Sequence, residues 1–123
     1  MGKLLTFTDL EAWKQGHGLA LLVYKLTGTF PREEIFTLVS QMRRSAVSVT
    51  SNLAEGFNRE SAKEKRHFYS FARGSVSELQ SQLYIAKDVG YCPESDFIAA
   101  FDLSVAVHKM INGLIRASRL NSP

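Results

Sequence analysis

Apolar residues recur at three- and four-residue spacing through four stretches of the chain. The first stripe reads Leu10, Trp13, His17, Ala20, Tyr24, and the second Ile35, Leu38, Val39, Met42, Ala46, Val49, Leu53. The third gives Phe68, Phe71, Ala72, Ser75, Leu79, Leu83, Ala86, and the fourth Phe97, Phe101, Ser104, Val107, Ile111, Ile115. This is the period of an α-helix with one buried face. Punctuation sets the limits. Thr8 with Glu11, and Ser61 with Glu64, have capping-box spacing, in which each side chain satisfies a backbone donor the helix leaves free. Thr27-Gly28-Thr29, Gly56 and Gly90 act as stops, while Pro31 and Pro93 suit first turns, where a missing N–H costs little. The spacing predicts helices over about 9–26, 32–55, 62–89 and 93–118.

Short connections between long helices force antiparallel neighbours. The expectation is therefore an all-α, antiparallel up-down four-helix bundle, with residues 1–123 as one domain, since the chain is too short for two cores. Gly74, mid-helix, together with Ser75, Ser45, Ala46 and Ser48, suggests a close helix approach. Leu19, Leu22, Val23 and Leu26 fall outside the first stripe, Phe36 and Val47 flank the second, and Leu103, Met110 and Leu114 widen the fourth. A helix apolar all round needs more than one covering layer. These nine residues are expected to form the interface of a homo-oligomer. The plainer alternative is scattered surface residues, since over half of any folded surface is apolar.

Composition changes this picture little. Apolar content of 45% and charged content of 22% are ordinary globular values. No apolar run approaches the roughly 20 residues that span a bilayer, and Met1 to Thr6 lacks a signal peptide's apolar stretch, so a cytoplasmic protein is expected. The one cysteine, Cys92, offers neither a disulfide nor a cysteine metal cluster. Net charge is +3, which permits nucleic-acid binding without demanding it. Lys63, Arg66 and Arg73 share the outer face of the third helix, Arg59 precedes its cap, and Arg43 and Arg44 lie on the second. Phosphates of a nucleic acid suit such groups. Interleaved Glu60, Glu64 and Glu78 keep open a plain solvated face with i,i+4 pairs. His17, His67 and His108 fall on three different helices, and Glu64-x-x-His67 supplies a di-metal spacing once. No metal, cofactor or enzymatic activity is expected from this inventory.

The run Gln41-Met42-Arg43-Arg44-Ser45-Ala46-Val47-Ser48-Val49, followed by Asn52-Leu53-Ala54-Glu55-Gly56, resembles the signature of four-helix-bundle proteins encoded in intervening sequences of bacterial 23S ribosomal RNA genes. Asp9-Leu10-Glu11-Ala12-Trp13, Phe30-Pro31, Arg59 to Ser61 with Glu64 and Phe68, Gly74-Ser75, Glu78-Leu79 and Gln82-Leu83 agree, over about residues 7–118. The resemblance extends to the accessory variability protein of diversity-generating retroelements. It implies a homopentamer with a basic, nucleic-acid-binding surface and a reverse transcriptase or other protein as partner. Arg43 and Arg44 match that family's paired arginines, whose role, binding nucleic acid or bracing the assembly, the motif leaves open.

Overall fold

A computed structural model describes residues 3–120. Four helices carry the fold: α1 (Glu11–Thr27), α2 (Ser40–Phe57), α3 (Ala62–Asp88) and α4 (Glu94–Leu120). Each packs on its neighbour in sequence and α1 closes on α4, giving an antiparallel four-helix bundle with no strand among the described residues. The core is a column of fully buried side chains, including Leu19, Val23, Met42, Leu53, Leu79, Leu83 and Ile111.

The N-terminal cap differs from the expected one. Asp9 Oδ2 accepts the backbone N–H groups of Leu5 (2.9 Å) and Thr6 (3.0 Å), and this winds Phe7–Asp9 into a 3₁₀ turn. Thr8 lies inside that turn, and α1 starts two residues later than predicted, at Glu11.

α1 is also rotated from the expected face. Its buried side is Ala12, Gly16, Leu19, Ala20, Val23 and Leu26, while His17 and Tyr24 are exposed. Gly16 supplies the reason. A Cβ there would stand 3.3 Å from Thr50 Cγ2 and 3.4 Å from Val49 Cγ1, so α1 meets α2 along its small-residue side. Trp13, half-buried against the core, stacks on the exposed His17 at 4.8 Å, with Phe7 edge-on to it. Leu19, Val23 and Leu26, expected on an oligomer interface, are therefore core residues of their own chain. Leu22, Leu103, Met110 and Leu114 are half-buried against that core. Of the nine, Phe36 and Val47 stay exposed.

The second predicted helix is three pieces. After Pro31 come a 3₁₀ turn (Arg32–Glu34), a π turn (Ile35–Val39) and then α2. The Glu34 carboxylate fixes this start by accepting from the Thr37 hydroxyl, from Leu38 N–H and, across the bundle, from the Tyr91 hydroxyl at 2.9 Å. The π turn adds a residue per turn and resets the register. Ile35, expected in the core, is exposed as a result, and Phe36 projects with 92% of its surface open.

Gly56 does not end α2, which runs on to Phe57. It is buried where the turn into α3 brings the backbone against aromatic rings: a Cβ there would lie 2.7 Å from Tyr69 Cε1 and 3.1 Å from Phe68 Cβ. Gly74, expected to permit a close approach, is exposed and would meet nothing within 4 Å. Two of the other expected seam residues do meet: the hydroxyls of Ser48 and Ser75 lie 2.8 Å apart between α2 and α3, and within α2 Asn52 Nδ2 donates to Ser48 O.

Ser61 caps α3, its Oγ accepting Glu64 N–H at 3.1 Å. Gly90 closes the helix with φ +87, and Tyr91 and Cys92 N–H both return to Ala86 O. Phe71, placed in the core by periodicity, is half exposed, and Tyr69 and Val76 take that space. α4 corrects the expectation on apolar length: by length and composition it is long and apolar enough to cross a membrane, with mean hydropathy 1.4 over its most apolar window. In the fold its stripe from Phe97 to Ile115 faces the bundle core.

Gly56→Ala is expected to destabilise the chain by ~1–3 kcal/mol, because the Tyr69 ring or the helix must shift. Gly74→Ala, in open helix interior, should stabilise it by up to about 1 kcal/mol. Urea denaturation of the two variants checks both signs.

Candidate nucleic-acid interface

The six cations singled out from sequence separate into distinct settings. Arg43 is a brace between helices: its Nε donates to Thr27 Oγ1 (2.9 Å), Nη2 donates to Tyr24 O (3.3 Å), and the guanidinium lies 4.5 Å from the Tyr24 ring centroid. Arg44 is exposed and forms an ion pair with Glu78, with Gln41 Oε1 also accepting from it. Arg59 pairs with Glu55 at 2.6 Å and lies 4.6 Å over the Phe68 ring.

Lys63, Arg66 and Arg73 follow one another up the side of α3 that adjoins α4. Arg66 Nη1 donates to Ser118 O (3.2 Å), Arg73 Nη1 to Asn112 Oδ1 (2.9 Å), and Gln80 Nε2 to Ser104 Oγ (3.0 Å). Two turns up α3 are matched each time by about two turns down α4, as antiparallel register requires. Each arginine uses one N–H in this ladder and keeps others of its five for a ligand. Among the described residues no carboxylate is in ion-pair contact with Lys63, Arg66 or Arg73.

Below Arg73 the ladder opens into a groove of about 630 Å³. Lys63, Arg66 and Arg119 line it together with His67, Phe68, Phe71, Ser70, Glu64 and Ile115. Glu64 is turned toward the cap, where its Oε1 accepts from the Ser61 hydroxyl at 3.2 Å. The open cleft thus carries three cationic side chains, two phenylalanines and an imidazole, with one carboxylate at its edge. Such groups have the chemistry to pair with anions and to stack on flat rings, which does not require base readout.

A second groove, of about 710 Å³, lies over the end of α1 and the start of α2. Tyr24, Ile35, Phe36 and Val47 supply its apolar wall, and Arg32, Arg43 and Arg44 its rim.

The fold with this geometry has known counterparts. A profile described as 23S rRNA-intervening sequence protein matches residues 8–113. The chain belongs to that family. Among solved structures, the fold is similar to a 1.70 Å crystal structure from Bacteroides thetaiotaomicron VPI-5482 of a protein with unknown function from the S23 ribosomal protein family. The TM-score is 0.79 at 17% identity, covering 85% of this chain and 95% of that one. Comparison with curated proteins gives no match.

In this member of the 23S rRNA-intervening sequence family, sequence reasoning missed Arg119, His67 and Phe71 as groove residues. The topology contained a signal for Arg119, because antiparallel α3 and α4 set the last turn of one beside the first turn of the other. Phe71 was hidden by its apolar character, which periodicity assigns to the core.

The second groove depends on Glu34, whose hydrogen bonds hold the turn that presents Phe36. The bond from Thr37, then that from Tyr91, keeps the Glu34 carboxyl below the usual glutamate value of 4.5. A carboxylate with a depressed folded-state pKa stabilises the fold above its unfolded pKa, and that contribution disappears as pH falls through the folded value. Thermal stability should therefore fall as pH drops below about 4.5. Glu34→Gln should flatten part of that slope, as melting curves across the acid range would show, with Asp9, lowered by the Thr6 and Leu5 N–H groups, retaining the rest.

Proposed function

We propose that this chain is a homo-oligomeric, non-enzymatic binding protein that holds nucleic acid through phosphate contacts, without base-specific readout. One observation carries the reading: Lys63, Arg66 and Arg119 converge on a single open groove, with Arg73 two turns above. Arg43, Arg44 and Arg59 serve the fold first, as brace, ion pair and ring stack, and contribute to the surrounding positive potential rather than to contact. The groove's cations and phenylalanines bind and position, and its one lining carboxylate, Glu64, is engaged with Ser61 at the α3 cap.

Self-assembly rests on the other groove. Phe36, open over 92% of its surface, stands beside Tyr24, Ile35 and Val47. An aromatic residue projecting next to an apolar cleft is a self-complementary pair, suited to seating against another copy. The same observation favours a second reading, an accessory subunit whose α1–α2 face docks a different protein, such as a reverse transcriptase.

Nucleic-acid affinity is expected to fall linearly in log K against log salt, with a slope of about 0.9 per phosphate neutralised on a duplex and about 0.7 on a single strand. Lys63→Glu combined with Arg119→Glu should abolish binding in a filter assay while leaving the helical circular dichroism unchanged. A flat salt dependence, or unchanged affinity in that variant, removes the nucleic-acid reading. Native mass spectrometry tests assembly separately. The unaltered chain should give a closed oligomer and Phe36→Asp a single chain, whereas a monomeric parent protein at micromolar concentration removes the homo-oligomer and leaves the docking reading.

A further inference from the structure

The groove at the start of α3 and the end of α4 contains two kinds of group, and phosphate binding uses only one of them. Lys63, Arg66 and Arg119 suffice for phosphates. The rings beside them are unexplained by that role. Phe71 is 50% exposed on a helix whose inner face is already filled by Tyr69, Ala72 and Val76. His67, also exposed, has its ring 4.4 Å from that of Phe71 at 63°. Phe68 meets Phe71 edge-on at 6.1 Å and 86°. Arg59 over Phe68 and Phe68 against Phe71 hold the set in place.

A hydrophobic patch built for a protein partner is depleted of charge at its centre. Here three cations and three rings line one opening, with the one lining carboxylate, Glu64, hydrogen-bonded at the α3 cap; cations beside exposed rings are what a surface uses to bind a backbone and stack its bases. Paired helices give such a ring little purchase, because their bases are already stacked on one another and present only edges in the grooves. Unpaired bases present their faces.

Resting on the nucleic-acid reading above, we propose that this groove is specific for unpaired nucleotides, with a base stacked on Phe71 and the flanking phosphates on Lys63, Arg66 and Arg119. Single-stranded DNA and unpaired RNA share this chemistry. Stacking on Phe71 is tolerant of sequence, since every base has a π face, so it adds strand-state selectivity without base readout.

Fluorescence anisotropy on the full chain tests this with three labelled probes: a uridine-rich RNA strand, its deoxy counterpart and a fully paired RNA duplex of equal length. Both single strands should bind at least roughly tenfold tighter than the duplex, and the tighter of the two names the natural source. Phe71→Ala should weaken the single strands roughly tenfold and leave duplex binding and the salt slope unchanged. Phe71→Trp should keep the affinity, with indole fluorescence quenched as the strand saturates it. Equal affinity for strand and duplex overturns the proposal. So does a Phe71→Ala variant that alters sedimentation but not affinity, which would assign the ring to a contact between copies. Binding that responds to Lys63→Glu and Arg119→Glu but not to Phe71 removes stacking and keeps the phosphate reading, whereas no binding of any probe by the parent protein removes both.

Discussion

Between Phe57 and Ala62, and again between Asp88 and Glu94, the chain has room only to reverse. α2, α3 and α4 are therefore antiparallel neighbours, and the start of α3 lies beside the end of α4. Lys63 and Arg119 line one groove for that reason alone, though most of two helices separates them in sequence. The bonds Arg66 to Ser118, Arg73 to Asn112 and Gln80 to Ser104 then fix the axial register of the pair. A shift of one turn would remove Arg66 and Arg73 from their acceptors together. The same polar ladder that sets the register thus holds the guanidinium groups at the groove.

Helix number, order and turns were legible because each is marked by local chemistry. Ser61 caps α3 through Glu64 N–H, Gly90 takes the positive φ that closes it, and Pro93 precedes α4. The face of α1 was not legible. Leucine, valine and alanine lie on most sides of that helix, so its periodicity gives no single answer. What decides is the fit of Gly16 against Val49 and Thr50, a contact between helices that no local pattern encodes. The start of α2 failed for a similar reason. Glu34 reaches Tyr91, far away in sequence, and the π turn it stabilises moves Ile35 and Phe36 outward. Of the nine residues assigned to an oligomer interface by excess grease, Leu19, Val23 and Leu26 lie in the core, whereas Phe36 stays outside and is the most exposed large apolar side chain among the described residues.

The cations show the same division between inventory and partnership. Sequence supplies Arg43 and Arg44 as an adjacent pair, and a helix sends neighbours about 100° apart. One turns inward to Thr27 and Tyr24, the other outward to Glu78. Arg59 is claimed by Glu55 and Phe68. Counting positive residues therefore overstates the binding surface. Of the cations with donors to spare, Lys63, Arg66 and Arg119 are the three brought to one groove, with Arg73 above them.

The two grooves use different helices, and this separation has an energetic consequence. Phe36 and its apolar wall belong to α1, the π turn and α2, while the basic cleft belongs to α3 and α4. In the assembly proposed above, a copy seated on Phe36 would leave the cleft open, so assembly would multiply the proposed binding sites instead of covering them. A few phosphate contacts per subunit give weak, salt-sensitive attachment. Several such clefts on the proposed closed particle would raise the effective concentration of each for a strand already held by its neighbour, and affinity would grow without any new contact. In the proposed assembly the modest net charge of +3 per chain would be no obstacle to nucleic-acid binding, because the clefts would repeat around the particle and add their fields.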